Sequence, residues 1–158
     1  MKMSNEPLKE NTEIFNPSNL SYRYGIIGGL LTSAILIFMN SGEATHPIYF
    51  SIFKYIPMAL MVILALNEVM KIGEDKAIFS KGASIAFKLS LIAGILVALV
   101  SVILFAVNPE WAFNKFGQMT TTYSRAILVG AMLFFEILVL TNLIAFIMLQ
   151  YIKRDVKI

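Results

Sequence analysis

The chain contains no cysteine, one histidine and one tryptophan among 158 residues, and only 15% of it is charged. Without cysteine there are no disulfides, thiol nucleophiles or thiolate-bound metals, and the redox compartment leaves no trace in the sequence. The single histidine, His46, stands three residues after Glu43. One imidazole and one carboxylate give a metal too few ligands, so His46 reads as a loop residue. Phosphate loops, nucleophile elbows and dinucleotide fingerprints are missing as well. Glu74-Asp75 sits beside Lys71 and Lys76 and reads as solvated surface charge. With so few acids, bases and nucleophiles, the expectation is a chain that is not an enzyme and takes no cofactor or metal.

What is abundant is apolar. Hydrophobic residues make up 58% of the chain, against about 45–50% in a soluble domain. The formal charge is +3, but the basic residues lie between apolar blocks and not in one patch. That placement is the one membrane topology requires, and it argues against nucleic acid. Twelve Phe, nine Met and six Tyr suit lipid-facing and interfacial surfaces. The first twenty residues are polar, where a secretory signal would carry its apolar core, so the first helix is expected to be a retained span.

Four blocks are long enough to cross a hydrocarbon core, which takes roughly 20 apolar residues: about 22–39, 48–70, 83–107 and 126–152. None alternates polar and apolar with the period of two that a spanning strand requires. The expected fold class is therefore all-α: a polytopic membrane protein with a four-transmembrane-helix bundle over 21–153. A polar arm, 1–20, precedes it and a basic tail, 154–158, follows it. The third connection begins Asn108-Pro109-Glu110-Trp111 and stops at Gly117. Asn suits an N-cap, Pro the first helical position and Gly the C-terminal stop. A short interfacial helix is expected there between the third and fourth spans, as an anchor or as a contact for a lipid or partner.

Lysine and arginine near the span ends set orientation. Lys2, Lys9, Arg23, Lys71, Lys76, Lys81, Lys153, Arg154 and Lys157 fall on one side, and Lys115 and Arg125 on the other. Nine against two predicts that both termini are cytoplasmic.

Small residues recur every four positions in two spans: Gly25, Gly29 and Ser33 in the first, and Ala86, Ser90, Gly94 and Ala98 in the third. Positions four apart share a helix face, and small faces let helices approach closely where lipid supplies no hydrophobic drive. The first span is expected to pack on the third within one chain, with a self-association face as the alternative. Pro57 predicts a kink in the second span, because it removes a donor and clashes with the Phe53 carbonyl.

The ionisable residues inside spans are Lys54, Lys88 and Glu136. A mid-membrane charge costs at least about 2.5–3.5 kcal/mol, so each needs a partner or a route to water. Helical rise puts Lys54 and Glu136 within reach of each other, as an ion pair. Alternatively Lys54 extends outward to the interface. Lys88 can do the same at the inner end, or meet Glu68. Asn67, Thr141 and Asn142 add polar groups to the inner half. Glu136, Lys54 and Asn142 thus make a candidate polar site for an ion, proton or headgroup, with a satisfied interhelical contact as the alternative.

The layout resembles a family of bacterial four-span inner-membrane proteins, a domain of unknown function common in Bacteroidota-type envelopes. The resemblance runs over 21–153 and is carried by Tyr24-Gly25, Phe79-Ser80-Lys81-Gly82, Ala86-Phe87-Lys88 and Asn108-Pro109-Glu110. It implies an inner-membrane location and an accessory role beside envelope enzymes such as membrane glycosyltransferases, and it supplies no active-site residues. The functional expectation is a non-enzymatic accessory or scaffolding subunit. It would partner the bilayer and either a second copy or another membrane protein. The alternative is a small oligomeric proton- or cation-coupled transporter or channel using Glu136.

Overall fold

The computed structural model describes residues 17–41, 50–72, 78–107 and 122–155. They form α1 Pro17–Ser41, α2 Phe50–Phe53, α3 Ile56–Ile72, α4 Ile78–Val107 and α5 Thr122–Asp155. The protein is an all-α four-helix bundle of α1, α3, α4 and α5, with α2 a single turn ahead of α3. Three of the helices are long and apolar enough to cross a membrane, over Asn19–Met39, Phe79–Val107 and Ala126–Tyr151. Residues 1–16 of the polar arm and the interfacial helix expected over 109–116 lie outside the described residues, while residues 17–20 of that arm belong to α1.

The second apolar block is not one kinked helix. It divides at a turn over Lys54 and Tyr55, and Pro57 sits in the first turn of α3. Part of the reason is local. Pro57 cannot donate to the Phe53 carbonyl, so the bond that would carry one helix through this point is missing. The chain instead closes a short turn from Tyr55 N–H to the Ile52 carbonyl at 3.0 Å. It restarts with Ala59 N–H donating to the Tyr55 carbonyl at 3.0 Å. A proline in the first turn of the new helix loses nothing, since its N–H would have had no intrahelical acceptor there.

Helix directions follow from the contacts. The Ser21 hydroxyl donates to the Ile85 carbonyl at 3.3 Å, and Gly25 and Gly29 lie against Leu89 and Ala93, so α1 and α4 run parallel. Gly82 lies against Leu149, Gly94 against Phe134, and Gly130 against Ala98 and Val102, so α4 and α5 run antiparallel. Gly28 meets Met58 and Met61 of α3, while Tyr24 meets Glu68, so α1 and α3 are antiparallel. The result is an up-down-up-down bundle in which α4 lies between α1 and α5.

The first span packs on the third within one chain, as expected. Gly25 and Gly29 pack on the Leu89, Ile92, Ala93 and Leu96 positions of α4. Gly94 and Ala98, from the other stripe, face α5 at Phe134 and Gly130, and Ser90 of the same stripe bonds to Asn142 of α5. Helix α4 thus presents two different faces to two neighbours, which is why it is the central helix.

The polarity of the surface is that of a membrane bundle. Phe38 is 78% exposed and Val107 71%, while Ser21, Ser90 and Ser101 are fully buried. In water an apolar surface this continuous would aggregate. In lipid it costs nothing, and hydroxyls are placed inside where other helices can satisfy them. Ser101 is satisfied within its own helix, donating to the Val97 carbonyl at 2.6 Å.

Candidate functional site

Glu136 stands near the middle of the Ala126–Tyr151 segment, ten residues in from Ala126. At about 1.5 Å per residue that is about 15 Å from the segment end, at the depth where an unpaired carboxylate is most costly. The break in the second apolar block brings Lys54 and Tyr55 to this level. Lys54 Nζ lies 3.1 Å from Glu136 Oε2, and the Tyr55 hydroxyl donates to the same oxygen. Lys54 Nζ also stands 4.7 Å from the centre of the Tyr55 ring, within cation–π range. A continuous helix would keep Lys54 and Tyr55 about 100° apart on its surface. The turn lets both side chains converge on one carboxylate.

The two charges are not equally enclosed. The Lys54 side chain is 9% exposed and that of Glu136 39%. The exposed part of Glu136 borders a shallow apolar groove on the outer face of α5, about 600 Å³, lined by Leu128, Met132, Phe135 and Val139 among others. The carboxyl head is thus engaged by Lys54 and Tyr55, and its stem meets the surface where lipid would lie.

Asn142 does not join this cluster. Its amide donates to Ser90 Oγ of α4 at 2.9 Å and to the Leu138 carbonyl of its own helix at 2.7 Å. Ser90 in turn donates to the Phe87 carbonyl at 2.8 Å. Six residues, about one and two-thirds turns, separate Asn142 from Glu136, which turns it toward α4. Asn142→Leu is expected to cost about 0.6 kcal/mol, the average for an interhelical hydrogen bond in lipid, read as a small shift in a denaturing-detergent titration. Thr141, on the same inner half, is buried, and its hydroxyl has no hydrogen-bond partner among the described residues. Lys88 is exposed. Glu68, which the sequence offered it as a partner, instead accepts a hydrogen bond from the Tyr24 hydroxyl.

Both tyrosines escape sequence reasoning. Tyr55 had one usable signal, its place two residues before a proline and one after an intramembrane lysine. Tyr24 had none, because its partner lies 44 residues away. No family model, no curated protein and no solved structure matches the chain.

Proposed function

We propose that the protein is a non-enzymatic accessory or scaffolding subunit of a bacterial inner membrane, crossing it four times with both termini in the cytoplasm. The observation that carries this reading is the engagement of Glu136 with Lys54 and Tyr55. The chemistry of the only carboxylate at span centre among the described residues is spent on tying the α2–α3 turn to α5. An ionisable group that carries ions or protons needs a wet path. Here the neighbouring groove is apolar and opens sideways, toward lipid. The break at Lys54–Tyr55 is then a structural device that keeps the second span in place despite its proline. The basic ends of the spans support the orientation. The exposed apolar faces of α1 and α5 are what a partner helix, a second copy or lipid would cover. An envelope-biogenesis enzyme, such as a membrane glycosyltransferase, is the class of partner the sequence resemblance favours.

A second reading has one observation in its favour: the partial exposure of Glu136. At a subunit boundary that carboxyl could exchange protons in a small oligomeric transporter or channel. Proteoliposomes loaded with a pH-sensitive dye separate the two. The accessory role expects no proton flux from the wild-type chain, and purification from its own membranes in mild detergent together with a second membrane protein. Flux that disappears in Glu136→Gln would replace it with the transport reading.

A further inference from the structure

A second polar cluster lies at the opposite end of α3 from the Lys54–Tyr55 turn. Glu68 is 13 residues beyond Tyr55 on that helix, about 20 Å along its axis. The hydrocarbon half-thickness is about 15 Å. With Glu136 near the middle of its span, Glu68 therefore falls at the headgroup level of the leaflet where α1 begins. A cleft of about 390 Å³ opens there between α1 and α3, lined by Tyr24, Leu64, Asn67, Glu68, Met70 and Lys71.

The lining is graded along the membrane normal. Leu64 is exposed and lies one turn toward the membrane centre from Glu68. Asn67 and Glu68 follow, and the exposed Lys71 lies one turn further out. Glu68 and Lys71 are three residues apart, a spacing that lets side chains on a helix pair. Yet they form no ion pair with each other among the described residues. Glu68 is held instead by the Tyr24 hydroxyl, which donates to its Oε1. Arg23 stands on the α1 side, its guanidinium carbon 5.9 Å from the centre of the Tyr24 ring. The cleft thus presents one anchored carboxylate and one cation, Lys71, unpaired among the described residues, beside the apolar Leu64, with Arg23 outside its lining on the Tyr24 ring.

We propose that this cleft binds the headgroup of a zwitterionic aminophospholipid. Glu68 accepts hydrogen bonds from the primary ammonium. Lys71, with Arg23 at the rim, holds the phosphate, and the acyl-glycerol portion runs along Leu64. A headgroup that lies nearly in the membrane plane can meet a carboxylate and a cation set side by side. A choline headgroup carries no N–H to donate, and a glycerol headgroup carries no cation for Glu68. The site should therefore discriminate among the three by hydrogen bonding and charge and not by size. The inference rests on the bundle lying in a bilayer, and on neither the accessory role nor any particular partner.

The test is native mass spectrometry of the full chain released from nanodiscs of equal parts phosphatidylethanolamine, phosphatidylcholine and phosphatidylglycerol. The wild-type chain is expected to retain phosphatidylethanolamine over either competitor by roughly tenfold, the factor one hydrogen bond to a charged group supplies. Glu68→Gln should erase the preference over phosphatidylcholine. Lys71→Met, a change at an exposed position, should weaken retention of all three lipids, since each carries the phosphate. Soluble phosphoethanolamine at millimolar concentration should not displace the lipid, because it lacks the contact with Leu64. Equal retention of the three lipids by the wild-type chain overturns the proposal. So does a preference over phosphatidylcholine that Glu68→Gln leaves intact, retention that Lys71→Met leaves unchanged, or displacement by the free headgroup.

Discussion

Glu136→Leu is expected to cost the bundle about 3 kcal/mol, the loss that follows when one member of a buried ion pair is removed. The leucine itself suits the membrane. The damage falls on Lys54, whose side chain is 9% exposed and which keeps a charge at mid-span with no counter-ion. Lys54→Met should cost only about 1 kcal/mol, because Glu136 keeps its bond from Tyr55 and its side chain is 39% exposed, so that little more than one net hydrogen bond is lost. The double variant Lys54→Met/Glu136→Leu is expected to return to within about 1 kcal/mol of the parent, since replacing both partners by apolar groups is often neutral. Unfolding in a denaturing-detergent titration, followed by circular dichroism, measures all three. Losses that simply add in the double variant would show that the two side chains are not coupled.

Gly29→Leu is the second large effect, again about 3 kcal/mol, the upper range for overpacking a tight contact. A Cβ at Gly29 would stand 3.1 Å from Ala93 Cα and 3.3 Å from the Ala93 carbonyl oxygen. Both are backbone atoms, so α1 and α4 must separate before a larger side chain fits. The neighbouring Gly28 is the control. A Cβ there would meet Met58 Sδ at 2.9 Å and Met61 Cγ at 3.2 Å. Methionine side chains move aside easily, so Gly28→Ala is expected to be close to neutral, while Gly29→Ala costs about 1 kcal/mol, as mild overpacking does. The readout is the unfolding midpoint of the dispersed monomer. If Gly29→Leu left that midpoint unchanged and altered only the oligomer, the seam with α4 inside one chain would not be what the glycine serves.

The contrast between these glycines shows how far sequence reasoning reached. Spacing identified Gly25, Gly29 and Ser33 as one face and Ala86, Ser90, Gly94 and Ala98 as another. It could not say which face met which. The rise and rotation of a helix relate residues of one element to each other, and they carry nothing about the azimuth of the next. In the bundle α4 turns a different side to α1, built from Leu89, Ile92, Ala93 and Leu96, and keeps its own small stripe for Phe134 and Gly130 of α5. The same limit explains Asn142. It is near Glu136 in number, but six residues carry it to the α4 side, where Ser90 takes its amide.

Proline chemistry was legible in kind and not in degree. Pro57 promised a distortion, and the lost donor to Phe53 was identifiable from the sequence. That the distortion would become a full turn over Lys54 and Tyr55 depends on what the turn gains, namely a lysine and a tyrosine hydroxyl on one carboxylate of α5. The gain is made 82 positions away from Lys54, beyond the reach of any local rule.

Composition and hydropathy alone determined that the chain is helical and apolar on its outside. An exposed backbone cannot be satisfied in lipid except by bonding within each segment, and that demand acts on every residue of a long apolar run. The choice of neighbours, the side of α4 that meets α1, and the meeting of Lys54, Tyr55 and Glu136 were decided only by the tertiary structure. Each depends on how one helix is rotated against another, and that rotation is set by the packing of all the helices together.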